Sequence, residues 1–543
     1  MTGPTSRRER SSAGARAFGR YAAAAVLLAY VVVIARSSPV GLGDMSNHLA
    51  RAYIMADLVF HHGVRFGTQF QYHFLPVPYI LPSLLLTSAV AELGPTAAVA
   101  TWAACIFLSI PAALLLYLRV TLGTNGRPLL ENEGALFLLL CATYLSTDFF
   151  FVVGFYAYQL GLACVIVVFS LVELLRRRWS SALFALYCAT VAAAYLVHLS
   201  TLLFIAVILA VSAGVRLRFR STSLRHELLL GVPIAALLCW HFGVAEHYRR
   251  ASDTSSIVYH WGTVYSKLAW TFRNFHRYGG RIDESLALVY SASLLMLIRS
   301  RSWRGAFANP RVVEALALAG AFFALYFAMP FSYSEASYVD IRALAPAAFF
   351  VLLACLQIPL REPKSESAAR APAIAVALAF VLSALNLAYL AKHFADLSRW
   401  SSSYRELFAD IPRRASVLPV YTVPKIWRYM DPSPDATITR QALIPYLFSA
   451  NTGEPMTYFR YIVRPYSPPD DWYVSRTQPA VDWRQIACAY RYLLVTRPFD
   501  SRRIGVATHE VAVTSSAALL AVDPRACAAA SGRAQPGGIA RPQ

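Results

Sequence analysis

The sequence predicts an α-helical polytopic membrane protein that ends in a small α/β domain. Three observations lead there. Apolar residues make up 57% of the chain and charged residues 15%, where soluble proteins carry about a quarter charged residues. Mean hydropathy is +0.46, and the apolar residues gather into runs of the length that crosses a bilayer. The basic residues fall largely in short connectors between those runs, where the positive-inside rule places them. The net charge of +20 and pI of about 9.7 therefore describe topology, and no nucleic-acid partner is expected.

Residues 1–20 hold Arg7, Arg8, Arg10, Arg16 and Arg20 with a single acid, ahead of an apolar run at about 21–35. No small-x-small cleavage site precedes a soluble domain, so this is expected to be an uncleaved first span with residues 1–20 as a cytoplasmic tail. Residues 36–77 then form an exported loop. Within it Leu49, Tyr53, Ile54, Leu58 and Val59 make a helical stripe that predicts helices lying in the membrane interface. His61, His62 and His73 fit no closed metal site by spacing.

Further apolar runs cover about 78–92 and 96–118, broken at Gly94-Pro95, then 135–152, 155–175, 180–197, 199–215, 228–244, 284–298, 312–330, 341–358 and 371–391. Arg176-Arg177-Arg178, Arg216 to Arg220, Arg299 to Arg304 and Arg361 to Arg370 mark cytoplasmic connectors. The loops at 148–156, near 198, 245–283 and 331–340 then share the exported side with Asp44. A cytoplasmic start and an exported tail require an odd number of spans, whereas twelve runs occur. Either one run within 76–118 is re-entrant, giving eleven, or there are thirteen, so the membrane module, 21–391, is expected to hold 11–13 spans.

Residues 392–528 have mixed polarity and short strand-like pieces, Tyr492-Leu493-Leu494-Val495 and Val511-Ala512-Val513, and are expected to form the exported α/β domain. Residues 529–543, rich in Ala, Gly and Pro, are expected to be disordered. Of eight cysteines, six (Cys105, Cys141, Cys164, Cys188, Cys239 and Cys355) lie in apolar runs as small core residues. An exported compartment permits a bond between the other two, Cys488 and Cys527. No CxxC spacing occurs.

The stretch Gly43-Asp44-Met45-Ser46-Asn47-His48-Leu49-Ala50-Arg51 follows the first apolar run directly. With Asp44 as an Asx N-cap, the i, i+4, i+7 spacing puts Asp44, His48 and Arg51 on one helical face. An acid, an imidazole and a guanidinium there suit an anionic, lipid-borne substrate; the simpler alternative is a solvated helix start. Asp148, Tyr156, Gln159, His198, Glu335, Asp340 and Arg342 fall at the same rim. Ionisable groups at such depth are costly and usually paired or functional. The structural alternative is that Asp340 pairs with Arg342. The aromatic loop, with Tyr248, Tyr259, Trp261, Tyr265, Trp270 and Phe272, reads first as an interfacial belt.

This pattern resembles the integral-membrane GT-C glycosyltransferases, which take sugars from polyprenyl-phosphate carriers. The segment 43–51 stands where that family has an acidic residue in its first exported loop, and Thr147-Asp148 stands near a second polar element. The resemblance covers the first 200 residues or so, and the rest only as topology. Met45 follows Asp44, so the Asp-Asp or Asp-Glu pair of some relatives is absent. The resemblance implies an inverting transfer on the exported side of a cell membrane, with Asp44 as general base. The substrate-binding set would be His48, Arg51, Asp148, Tyr156, Gln159, His198, Glu335, Asp340 and Arg342. Its partners would be a polyprenyl-phosphate-linked sugar, an acceptor glycan, lipid or protein, and membrane lipid. No cofactor is assigned by a motif, and a divalent metal stays open. Two other classes stand beside this enzyme: a transporter or flippase for a lipid-linked saccharide, against which the absence of an internal repeat counts, and an assembly subunit whose tail docks a partner.

Overall fold

All twelve apolar runs form helix, because in a bilayer or a packed bundle an apolar segment must satisfy its amides internally. The computed structural model describes residues 7–37, 43–72, 74, 76–122, 133–245, 259–273, 281–333, 338–358, 366–420, 432–445, 456–458, 487–498 and 507–531. The chain is mostly helical, with a small sheet near its C-terminus, and divides into two units. Unit 1 comprises 1–37, 75–82 and 100–393; unit 2 comprises 38–74, 83–99 and 394–543.

Unit 1 is built from α1 (Arg7–Arg36), the start of α3 (Ile80–Leu93), most of α4 (Pro95–Leu122), and α5 (Glu133–Ser146) and α6 (Phe149–Val153). It continues with α7 (Tyr156–Arg177), α8 (Ser181–Val197), α9 (Leu199–Arg218) and α10 (Leu224–Trp240). Next come α11 (Val264–Arg273), α12 (Arg281–Arg299), α13 (Pro310–Ala328), α14 (Leu344–Gln357) and the first part of α15 (Glu366–Phe408). Among the described residues, seven helical segments are long and apolar enough to cross a membrane: 95–121, 133–153, 156–177, 199–218, 224–243, 310–328 and 370–408. That is fewer than the expected eleven to thirteen. Four further apolar helical segments, at 21–36 (the second half of α1), 80–93, 181–197 and 341–357, are shorter. At 1.5 Å per residue, apolar segments of 14 to 17 residues reach only about 21–26 Å of a ~30 Å core. α12 has 19 residues but carries Arg281, Asp283, Glu284 and Arg299, and is not among the seven. Gly94, at φ +76°, makes the left-handed turn that separates α3 from α4.

The end of unit 1 that carries the basic connectors contains a buried charge network. Arg176 of α7 grips Glu227 of α10 through two bonds, Nε–Oε1 3.0 Å and Nη2–Oε2 2.8 Å. Its Nη1 lies 3.3 Å from both Glu173 and Glu314 and donates to Ser212 Oγ at 2.6 Å. Arg216 of α9 bonds Glu173 and Glu314 at 2.7 Å each. Three carboxylates and two guanidinium groups thus tie α7, α9, α10 and α13 together.

Unit 2 holds α2 (Met45–Phe60), β1 (Phe70–Tyr72), the last part of α15, β4 (Val417–Val420), α16 (Asp435–Arg440), β5 (Met456–Tyr458), β6 (Tyr492–Thr496), β7 (Thr508–Val513), β8 (Ala517–Val522) and α17 (Pro524–Ser531). Its sheet has the order β4-β6-β8-β7, parallel between β4 and β6 and antiparallel elsewhere. The expected strand at 492–495 is β6, and that at 511–513 ends β7. Alternation along β4, β6 and β8 sends Val417, Leu494 and Leu519 to one core and Leu418, Leu493, Val495 and Leu520 to another. Cys488 and Cys527 are disulfide-bonded beside the second core, with Cα atoms 5.5 Å apart.

The first core shows what part of 45–75, expected to lie in an interface, packs against. Ala50, Ile54, Met55, Phe66 and Phe70 pack with Tyr404, Leu407, Phe408, Val417 and Leu519. β1 pairs antiparallel with β5, Phe70 opposite Tyr458. Most of the loop after the first apolar run therefore packs with C-terminal residues, and 38–74, 83–99 and 394–543 form one unit. Asp57 holds the turn after α2, its Oδ2 accepting from the amides of Arg65 (3.0 Å) and Phe66 (2.9 Å). Asp435 anchors α16 through Arg405 at 2.7 Å. The final helix runs to Ser531, into the stretch expected to be disordered.

Candidate functional site

A buried polar constellation of unit 1 lies at the joint between α8 and α9. His198 is the joint itself: it ends α8, begins α9 and is extended at φ −164°, ψ 133°. Its Nδ1 faces the Ser200 amide at 3.1 Å and Ser200 Oγ at 2.7 Å. Its Nε2 faces Tyr79 Oη at 3.1 Å and Arg342 Nη1 at 3.2 Å. Gly161 of α7 allows the close approach, since a Cβ there would overlap Thr201 Oγ1 and reach His198 Cβ. The Arg342 guanidinium and the Ser200 amide can only donate, and a neutral ring accepts at one nitrogen. Protonating the second nitrogen would aim an N–H at a guanidinium. Burial first and Arg342 second accordingly push the His198 pKa well below the usual histidine value.

Arg342 lies in a single 3₁₀ turn, Ile341–Ala343. Tyr158 of α7 donates to its carbonyl at 2.8 Å, and the Phe155 ring lies 5.7 Å beneath its guanidinium. Asp340 begins the turn, its Oδ1 accepting from the Ile341 amide at 2.8 Å. The expected structural alternative, an Asp340–Arg342 pair, is not what forms. Asp340 Oδ2 pairs with Lys267 at 3.2 Å, while Arg342 meets His198. Burial raises the Asp340 pKa and Lys267 counteracts it.

Asp148 caps α6, accepting from the Phe151 amide at 3.0 Å and from Gln159 Nε2. That makes both groups part of the corner between α5 and α7, which Gly154 closes in the left-handed region at φ 91°. Tyr156 is buried edge-on against Trp102, with centroids 5.7 Å apart. Glu335 and His73 lie outside the described residues.

In unit 2, Asp44 occupies the N-cap position of α2 but in helical backbone geometry (φ −83°, ψ 0°), and its side chain makes no capping bond. The Asx cap expected there does not form, and the Asp44 carbonyl accepts the first helical bond, from the His48 amide at 3.1 Å. His48 and Arg51, one turn apart, do come together, with Nδ1 and Nη2 3.4 Å apart. Arg51 is buried and donates to Ser83 Oγ at 2.7 Å. Burial, then Arg51, lowers the His48 pKa well below its usual value. The exposed His61 and His62 join no cluster: among the described residues no group of three His, Cys, Asp or Glu could hold a metal ion.

Lys267, Tyr79, Ser83 and Ser200 complete these arrangements and were not singled out in the sequence. Lys267 had a signal: it is the one lysine of the 245–283 loop, set among Trp261, Tyr265 and Trp270. The other three are uncharged residues whose partners lie 32 or more positions away, or, for Ser200, in an ordinary helix start.

The architecture is that of a multi-pass membrane protein with a small mixed α/β unit. No protein-family model matches the chain, and no curated protein matches its sequence.

Proposed function

We propose that this chain is a membrane glycosyltransferase that moves a sugar from a polyprenyl-phosphate carrier to an acceptor on the exported side of a cell membrane. The observation that carries the reading is the buried Arg342–His198 contact, held from three directions by Tyr158, Tyr79 and Ser200. A guanidinium fixed at a bundle corner suits a phosphate, because its planar donors match two oxygens at once. His198, kept neutral, and the Tyr79 hydroxyl can hydrogen-bond the remaining oxygens without adding charge. The acidic residue of the scheme is Asp44, half-buried at the start of α2 with His48 and Arg51 on the following turns. The acceptor hydroxyl attacks the anomeric carbon as the bond to the carrier phosphate breaks with inversion, and a general base takes the hydroxyl proton, the role that the resemblance gives to Asp44. The Cys488–Cys527 bond agrees with an oxidising, exported setting for unit 2.

The test compares membranes carrying wild type and Asp44→Asn at matched expression. Polyprenyl-phosphate sugars are quantified by mass spectrometry. Wild type should deplete one such lipid and Asp44→Asn should not. Equal depletion by both removes Asp44 as the base. No depletion by either, with a labelled lipid-linked sugar crossing proteoliposomes, establishes a transporter instead.

A further inference from the structure

A buried lysine must be held on all sides, and Lys267 is. Only 3% of the residue is exposed, and an ammonium has three protons to place. Its Nζ meets the carbonyls of Tyr326 (2.9 Å), Phe327 (3.1 Å) and Met329 (2.5 Å), and Asp340 Oδ2 at 3.2 Å. The three carbonyls belong to the last turn and C-cap of α13, which have no intrahelical partners and carry the negative end of the helix dipole. Tyr326 returns a bond from its hydroxyl to the Lys267 carbonyl, so α11 and the end of α13 are joined both ways.

The same frame extends to the segment that leads into Arg342. β2 (Tyr259–His260) pairs with β3 (Ser332–Tyr333), Phe331 N donates to His260 O at 2.8 Å, and Val339 N donates to Phe331 O at 2.9 Å. Asp340 comes next. One carboxylate oxygen takes the Lys267 ammonium and the other the Ile341 amide, so a single side chain grips the frame and starts the turn. Arg342 is two residues further on.

We infer that Lys267 is a positioning residue for Arg342: through Asp340 it sets where the guanidinium lies and so how tightly the site takes the phosphate of a lipid phosphate. This rests on the reading of Arg342 as a phosphate ligand given above. Without the ammonium, Asp340 is a buried carboxylate with no other cation beside it among the described residues, and burial already favours its neutral form. The carboxylate must then protonate or turn outward, and the 3₁₀ turn loses its anchor.

The experiment uses the full chain in nanodiscs and farnesyl phosphate as the probe, with binding measured by calorimetry. Lys267→Met should weaken binding about tenfold, a coupling of the usual size for contacting residues. Lys267→Arg should restore it to within about threefold, since it keeps a cation at the carboxylate. Arg342→Ala should weaken binding at least as much, and Lys267→Met should add nothing on that background. Asp340→Asn, which retains an acceptor for Ile341, reports the same loss should Lys267→Met fail to fold. Wild-type affinity in Lys267→Met or Asp340→Asn, or losses that add fully with Arg342→Ala, overturns the positioning role and leaves the phosphate site standing. A wild type that does not bind farnesyl phosphate overturns the phosphate site and this role with it.

Discussion

Arg176→Met should be among the most destabilising single changes in unit 1. Arg176 and Glu227 have side chains only 4% exposed, and Arg176 is the sole side-chain partner of Glu227 among the described residues. Removing it leaves that carboxylate without its two bonds of 2.8 and 3.0 Å. Glu173 and Glu314 retain only Arg216 as a close buried cation. Stranding one member of a buried ion pair costs about 3–5 kcal/mol, whereas replacing both members by apolar or neutral groups of similar volume is often near neutral. At about 2 °C per kcal/mol for a large domain, the single change should lower the melting temperature by roughly 6–10 °C. The double variant Arg176→Met/Glu227→Gln should recover most of that loss. The assay is intrinsic-fluorescence melting of purified protein in one detergent, with the cycle completed by Glu227→Gln alone. A drop of under about 2 °C for Arg176→Met, or a double variant no better than the single, would refute the view that the pair is a buried ionic tie.

Two further outcomes follow from the groups described. Because His198 titrates below its ordinary 6.5, the unfolded chain binds a proton that the folded chain refuses. Stability from this residue is complete above about pH 6.5 and is lost as the pH falls below it, by up to about 1.4 kcal/mol per unit. Urea or SDS unfolding at pH 7.5 and 5.5 should show that slope in wild type and less of it in His198→Gln; equal slopes would contradict the assignment. Reducing the Cys488–Cys527 bond, which closes a loop of 39 residues, should destabilise unit 2 by about 4 kcal/mol on loop entropy. Limited proteolysis with and without reductant reads this, and identical cleavage rates would count against it.

The helices were legible because each is a run of apolar residues, and a run announces itself without its neighbours. Which runs reach across a bilayer was less legible: Ser181–Val197 and Ile341–Gln357 have the hydropathy of spans and lack the length. The His48–Arg51 contact followed from helical spacing alone. The Lys267–Asp340 pair joins positions 73 apart, and no local pattern announces such a pair. For residues 45–72 the packing partners were not legible, for a physical reason. A stripe of Leu49, Tyr53 and Ile54 beside polar groups predicts a helix on a membrane and does not show that Arg51 and Asp57 are buried, satisfied by Ser83 and by turn amides. Glu173, Glu227 and Glu314 carry no signal in the sequence because neighbouring arginines read as topology markers, whereas Arg176 and Arg216 point inward at them.

The first core of unit 2 joins residues from both ends of the chain, and that imposes an order of events during synthesis. α2 and β1 leave the ribosome early, yet β5, the partner of β1, begins at Met456. Nearly four hundred residues separate them, which at about 5–20 residues per second is a wait of roughly 20–80 seconds. Until Tyr404 and the residues after it are made, Ala50, Ile54, Met55, Phe66 and Phe70 have none of their C-terminal partners, and Leu494, Ala517 and Leu519 come later still. A stop codon ahead of Leu494 would remove Leu494, Ala517 and Leu519 from the core that Ala50, Ile54, Met55, Phe66 and Phe70 share.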